Sequence, residues 1–97
     1  MNLAVGQKAT RSLTLTAEHV KKFAEITGDH NPVHFDKAFA SKTRFNELVL
    51  QGGLTTGPVH ALFLMDLPGP GTEVLSQNWK FTAPVFTGDT ITAEAQV

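Results

Sequence analysis

Residues 23–34, FAEITGDHNPVH, decide how the first part of this chain folds. From Val20, the residues at i, i+3, i+4 and i+7 are Val20, Phe23, Ala24 and Thr27, a largely apolar stripe that predicts an amphipathic helix. Gly28 is a typical helix end. The polar run 29–34 follows at once, and Pro32 prevents the helix from continuing through it. The sequence therefore predicts a helix that stops in a stiff, polar turn.

Before this helix, the sequence predicts a short strand and a helix start. Polar and apolar residues alternate over residues 10–16, which is the period of a half-buried strand. Thr16 is a typical N-cap residue. Glu18 would lie in the first turn, where the helix dipole favours an acidic side chain.

A second helix is predicted in the middle of the chain. Gly52 and Gly53 permit a close approach of the backbone, and Pro58 is expected in the first helical turn. Residues 59–67 are apolar nearly all round, so this helix is expected to be buried. Its flexible side chains could line an acyl tunnel or simply form core. The run LPGPG at residues 67–71 ends it.

The last part of the chain returns to a period of two. Apolar and polar residues alternate over residues 72–83 and again over 91–97, with a turn at Gly88-Asp89 between them. Strands that bracket one buried helix predict an α+β fold with an antiparallel sheet against the helix.

Composition restricts the class of protein. The chain has 97 residues, enough for one domain (1–97), with 41% hydrophobic and 18% charged residues and a formal net charge of -1. Those values are typical of a globular protein and exclude binding of nucleic acid by charge alone. Because there is no cysteine, disulfides and zinc–thiolate sites are excluded. No signal or membrane-spanning stretch stands out, so we expect a cytoplasmic protein without a membrane partner.

The chemistry of the chain is concentrated in residues 29–34. Asp29 and His34, in a non-helical turn, can converge on one small space and act as a general acid/base pair. The amide of Asn31 can orient either group, and Pro32 stiffens the loop. Asp29 and Asn31 could instead only satisfy the backbone of the turn.

A metal site is the other alternative for this stretch. His30 and His34, with Asp29 and Asp36, offer four suitable ligands. However, the spacing of the two His residues places them together only on a helix, and Pro32 lies between them. We therefore expect no metal.

The same stretch resembles the signature of the MaoC-like (R)-specific enoyl-CoA hydratases, also called hydratase 2. The resemblance extends through residues 40–45 (ASKTRF), 67–72 (LPGPGT) and 84–90 (PVFTGDT), so it covers essentially the whole chain. It implies a hot-dog fold, in which an antiparallel sheet wraps around a central helix. It also implies at least a dimer, with acyl-CoA bound near the dimer interface.

The resemblance also implies a reaction. Asp29 and His34 would hold a water and add it to a trans-2-enoyl thioester of CoA or acyl carrier protein, giving the (3R)-hydroxyacyl thioester. No cofactor would be needed. An oxyanion site would come from the glycine turn before the central helix. The implied substrate-binding residues are Asn31, Gly52, Gly53 and His60.

The chain departs from the family pattern at several points. Gln51 stands where relatives commonly have His, and His60 where they often have a small hydroxyl residue. The last two strands of the family fold are not expected within the 97 residues. A catalytically inactive acyl-CoA-binding or oligomerisation module and a hot-dog thioesterase therefore remain alternatives to a hydratase. The run Asp29-x-Asn31-Pro32-x-His34 argues against the thioesterase.

Overall fold

A computed structural model describes residues 3–97 of the chain. A strand and a helix are followed by a polar turn, a long central helix and a final strand. In chain order the elements are β1 (Lys8–Thr14), α1 (Ala17–Thr27), a 3-10 turn (Pro32–His34), α2 (Lys37–Ala40), α3 (Gly52–Ala61), a π-helical turn (Leu62–Asp66) and β2 (Thr90–Gln96).

The first helix has the ends that the sequence predicts. Thr16 is the N-cap of α1, and its backbone N–H donates to Nδ1 of His19 at 2.9 Å. At the other end, Gly28 adopts a left-handed conformation with φ of 82° and donates to the carbonyl oxygen of Ala24. A residue with a Cβ is strained in that conformation, so glycine is favoured here.

The central helix starts earlier than the sequence predicts. It begins at Gly52, so Pro58 lies in its interior, and the expected position of this proline in the first turn is wrong. Proline lacks the N–H that would bond to the preceding turn. The helix continues past this point and finishes in a π-helical turn, Leu62–Asp66.

The central helix is buried along one side only, which corrects the expectation that it is buried all round. Pro58 and Leu62 are buried, whereas His60 is exposed and Met65 is 61% exposed. The helix packs against both strands and against α1.

The two strands pair antiparallel along their whole length. The register runs from Lys8 opposite Gln96 to Thr14 opposite Thr90. On the exposed face, the hydroxyls of Ser12 and Thr92 lie 2.9 Å apart. The opposite face packs on the central helix, because successive side chains of a strand alternate between faces.

Two apolar clusters form the core. One joins the end of the central helix to β2, and the other joins the residue that follows β1, α1 and the segment before α3. The buried members of the first are Leu62, Leu67, Ala93 and Ala95, and those of the second are Leu15, Val20 and Leu50.

The strand predicted over residues 72–83 is not formed. This segment has no strand pairing, and Leu75 and Phe81 are 91% and 61% exposed. The alternation of side chains predicted an extended strand, but a strand also needs a partner edge for its backbone groups. The segment pairs with neither strand of the sheet: β1 and β2 pair with each other, and each keeps one edge that pairs with no other strand of residues 3–97.

Candidate active site

The turn after α1 is shaped by its own side chains. The Oδ1 atom of Asn31 accepts a hydrogen bond from the backbone N–H of Val33 at 3.1 Å and so caps the 3-10 turn that ends at His34. Oδ1 of Asp29 lies 3.4 Å from the backbone nitrogen of Asn31. Local hydrogen bonds of this type are what the turn alternative predicts. They also hold Asp29 and His34 on the same side of the loop.

His34 is buried and is fixed by one strong contact. Its side chain is 9% exposed, and its Nδ1 lies 2.7 Å from the carbonyl oxygen of Val49. Since a carbonyl oxygen only accepts hydrogen bonds, Nδ1 must carry the proton. In the neutral ring, Nε2 is therefore the basic nitrogen.

The structure brings Asp29 to this basic nitrogen. Oδ1 of Asp29 lies 3.5 Å from Nε2 of His34, and the carboxylate is 41% exposed. A buried imidazole thus faces a partly exposed carboxylate. Such an arrangement can take a proton from water at one group and return a proton from the other.

The remaining predicted site residues lie around or away from this pair. The carboxamide oxygen of Asn31 is engaged in the turn, as described above. His60 is exposed on α3 and contributes to none of the principal cavities of residues 3–97. The substrate-binding roles of Asn31 and His60 stay predictions.

The alternative metal site is not assembled. In the part of the chain that the structure describes, no three His, Cys, Asp or Glu side chains lie close enough to hold a metal ion. His30 stacks on Phe35, with 6.1 Å between ring centres. Asp36 caps α2 by accepting from the backbone N–H of Phe39 at 3.1 Å. Pro32 lies between the two histidines in the chain.

The glycine turn lies at the start of α3, between two aromatic rings. A Cβ on Gly52 would lie 3.4 Å from Cζ of Phe81, and one on Gly53 would lie 2.6 Å from Cζ of Phe23. A side chain at position 53 would displace the Phe23 ring, so glycine favours the close approach of α3 to α1. The first N–H groups of a helix have no partner within the helix, so the turn can offer donors to an oxyanion.

Gln51 has a structural position that the sequence did not predict. Its side chain is 1% exposed, and Nε2 donates to the carbonyl oxygen of Val20 at 3.0 Å, which ties the start of α3 to α1. Its Oε1 is buried without a protein partner among the described residues. Burying a carboxamide costs free energy unless it is hydrogen-bonded, so the bond to Val20 offsets part of the cost of burying Gln51.

A cavity of about 610 Å³ lies beside the start of α3. The sequence left open whether residues 62–65 line an acyl tunnel or form core; Leu62 belongs to the core, and Met65 is exposed. The observed cavity is formed by segments distant in the sequence, and no local pattern could reveal it. Its lining residues are Arg44, Phe45, Val49, Leu50, Gly52, Thr55 and residues 81–86.

Within residues 3–97, none of the helices has the length and apolar character needed to cross a membrane.

Comparison with known proteins gives a consistent assignment. The MaoC like domain family matches residues 3–97. An (R)-specific enoyl-CoA hydratase of Aeromonas caviae is 42% identical over 96 residues, which are 99% of this chain and 72% of that protein. A 3-hydroxybutyryl-CoA dehydratase of Methylorubrum extorquens is 38% identical over 96 residues, which are 99% of this chain and 61% of that protein.

Solved structures agree with these sequence relationships. The (R)-hydratase from A. caviae involved in PHA biosynthesis superimposes with a TM-score of 0.91 at 41% identity, covering 97% of this chain and 71% of that one. A protein from Archaeoglobus fulgidus gives a TM-score of 0.89 at 41% identity, covering 100% of this chain and 61% of that one. The chain belongs to the MaoC-like domain family and has the hot-dog fold of the R-hydratases.

Proposed function

We propose that this chain carries the active site of an (R)-specific enoyl-CoA hydratase, which adds water to a trans-2-enoyl thioester. The observation that supports this most directly is the pairing of Asp29 with the basic Nε2 of buried His34 at 3.5 Å. Relatives at about 40% identity are named as hydratases or dehydratases, which supports the same reaction in either direction. The product is the (3R)-hydroxyacyl thioester.

The proton inventory of the reaction fits this pair. The hydroxyl of water forms a bond to C3 of the enoyl group, while the proton that it leaves passes to the Asp29/His34 pair. C2 gains a proton from the same pair, so one water is added and the pair returns to its initial state. The hydrogen bond from Nδ1 of His34 to Val49 keeps Nε2 available for this exchange.

The developing charge also needs stabilisation. As the hydroxyl adds to C3, negative charge moves to the thioester oxygen as an enolate, and N–H donors stabilise such charge without a metal ion. Gly52 and Gly53 provide free N–H groups at the start of α3, and Gly52 lines the cavity beside it. We assign the oxyanion site to this turn.

The substrate class is an acyl thioester of CoA or acyl carrier protein, and the working unit is at least a dimer in the cytoplasm. The pairing pattern supports association, because each of the two strands has one edge that pairs with no other strand of residues 3–97.

The decisive experiment is hydration of crotonyl-CoA by the purified chain. Loss of enoyl absorbance measures turnover, and chiral chromatography of the hydrolysed product identifies the enantiomer. We expect (3R)-3-hydroxybutyryl-CoA. The (3S) product would contradict the assignment, and binding of crotonyl-CoA without turnover would favour an inactive binding module. Release of free CoA without hydration would indicate a thioesterase.

A further inference from the structure

The cavity beside α3 carries one ionisable side chain. Arg44 is the only charged residue in its lining, and the other lining residues are apolar, glycine or threonine. The guanidinium carbon of Arg44 lies 4.6 Å from the ring centre of Phe45. None of the ion pairs found among residues 3–97 includes Arg44. The cation is thus steadied by an aromatic ring and accessible to an anion from outside.

The same cavity adjoins the proposed reacting centre. Val49, whose carbonyl oxygen holds His34, lines it, and so does Gly52, the first residue of α3. Its volume of about 610 Å³ falls within the range of small-molecule sites, roughly 300–1,000 Å³. A ligand that enters here meets an apolar surface, one cation and the proposed oxyanion turn.

We propose that Arg44 binds a phosphate group of the carrier that delivers the thioester. The inference rests on the proposed function and specifies its substrate. The acyl group of a thioester, including its carbonyl, carries no charge, so an anion for Arg44 to bind can come only from the carrier. CoA and acyl carrier protein share a phosphate at the end of the pantetheine arm. The planar fork of a guanidinium suits phosphate oxygens, and the apolar lining suits the arm.

Binding measurements test this without requiring turnover. Titration calorimetry compares CoA with pantetheine, which lacks phosphate, on the 97-residue chain and on Arg44→Gln. We expect the ratio of the two affinities to fall about tenfold in Arg44→Gln, the effect of one charge-assisted hydrogen bond. Arg44→Lys keeps the positive charge but lacks the planar guanidinium. Its affinity ratio should lie between those of the unmodified chain and Arg44→Gln.

Lys42 provides the matched control. It is an exposed cation two residues away that does not line the cavity. Lys42→Gln should keep the affinity ratio of the unmodified chain. Equal losses in Lys42→Gln and Arg44→Gln would show a diffuse charge effect and overturn the proposal.

Kinetics then identify which phosphate is bound. The kinetics of the unmodified chain and of Arg44→Gln are measured with crotonyl-pantetheine, crotonyl-4′-phosphopantetheine and crotonyl-CoA. For a substrate whose phosphate Arg44 binds, KM should rise in Arg44→Gln and kcat should not change. A rise in KM for both phosphorylated substrates indicates that Arg44 binds the phosphate that the two carriers share. A rise for crotonyl-CoA alone indicates that it binds a nucleotide phosphate. An equal rise in KM with crotonyl-pantetheine, which has no phosphate, overturns the proposal. Absence of turnover by the unmodified chain rejects the hydratase function, while the CoA titration still decides the role of Arg44.

Discussion

Nδ1 of His34 donates a hydrogen bond to the carbonyl oxygen of Val49 over 2.7 Å. Val49 lies fifteen residues downstream, and its carbonyl fixes both the orientation and the tautomer of the ring. The nitrogen that faces Asp29 is therefore the basic one. A backbone group outside the polar turn thus decides which nitrogen of His34 faces Asp29.

Replacing either member of the pair should reduce hydration strongly. Asp29→Asn keeps an oxygen for the turn but loses the carboxylate, and His34→Ala removes the base. Each should lower kcat about 10²–10⁴-fold with crotonyl-CoA. The double variant should be little worse than the poorer single variant, because both groups act on one water. Circular dichroism checks that the fold persists.

Two further variants make this test specific. His34→Asn can still donate to the carbonyl oxygen of Val49 and controls for structural damage from His34→Ala. His30→Ala removes an exposed neighbouring imidazole and should retain activity. Full additivity of the Asp29 and His34 losses would show that the two residues do not act as a unit.

Removal of metal ions should leave the rate unchanged. The enoyl thioester is already polarised by conjugation, and a proton-transfer pair with N–H donors requires no Lewis acid. The rate is measured before and after dialysis against EDTA, with residual metal determined by atomic emission. A rate that is lost on dialysis and restored by zinc would revive the ligand set that includes His30 and Asp36.

Two glycines of α3 should respond oppositely to alanine. A Cβ at Gly53 would lie 2.6 Å from Cζ of Phe23, whereas one at Gly57 meets nothing within 4 Å. Gly53→Ala should destabilise the fold by about 1–3 kcal/mol through overpacking. Gly57→Ala should stabilise it by about 0.5–1 kcal/mol, because alanine is the better helix former. Urea unfolding measures both, and a loss of stability in Gly57→Ala equal to that in Gly53→Ala would contradict this explanation.

The ion pair between Arg11 and Asp66 should make stability depend on pH in acid. Nε and Nη2 of Arg11 bind the two oxygens of Asp66 at 2.8 and 3.0 Å, which joins β1 to the π-helical turn. These hydrogen bonds, with the charge of Arg11, lower the pKa of Asp66 against the effect of desolvation. A lowered pKa means that the stabilisation is present above the ordinary carboxyl value, about 4, and is lost as the pH falls through the folded-state value.

Substitution of Asp66 tests the direction in which stability depends on pH. Asp66→Asn should lower the urea midpoint at neutral pH, and the difference from the unmodified chain should shrink as the carboxyl becomes protonated. Glu94→Gln is the matched control, since its pair with Lys8 spans 3.9 Å and both side chains are more than half exposed. A loss in Asp66→Asn no larger than in Glu94→Gln would show that the bidentate geometry adds nothing.

The chain should associate into at least a dimer through residues 73–83 or 88–97. Its accessible area is 6669 Å², whereas a folded monomer of 10.5 kDa typically exposes about 5,400 Å². Part of the excess is apolar, as at Leu75, and its burial favours association. Sedimentation at micromolar concentration should show no substantial monomer, and a cooperatively folded monomer would contradict the prediction.

A pair of charge substitutions locates the contact. Leu75→Lys places a charge in the predicted interface and should increase the monomer fraction. Ile26→Lys is the control, because Ile26 is 84% exposed on α1, outside both predicted segments. If the two variants shift the equilibrium equally, the contact lies elsewhere.

Local periodicity and the residue types of 29–34 were enough to predict α1 and the composition of the polar turn. α1 and its end at Gly28 follow from periodicity and from the left-handed conformation that glycine tolerates. These features depend on neighbours within a few residues. The short loop also allows Asp29 and His34 to meet, but the orientation of the His34 ring depends on Val49, fifteen residues away.

Features that depend on distant residues could be known only from the three-dimensional packing. The alternation over residues 72–83 could not show whether this segment would pair with another strand. Nor could the position of Pro58 show that α3 begins six residues before it. The bond from His34 to Val49, the tie from Gln51 to Val20 and the cavity at Arg44 each join separate segments. Local propensity carries no information about such contacts, because they form only when the core brings those segments together.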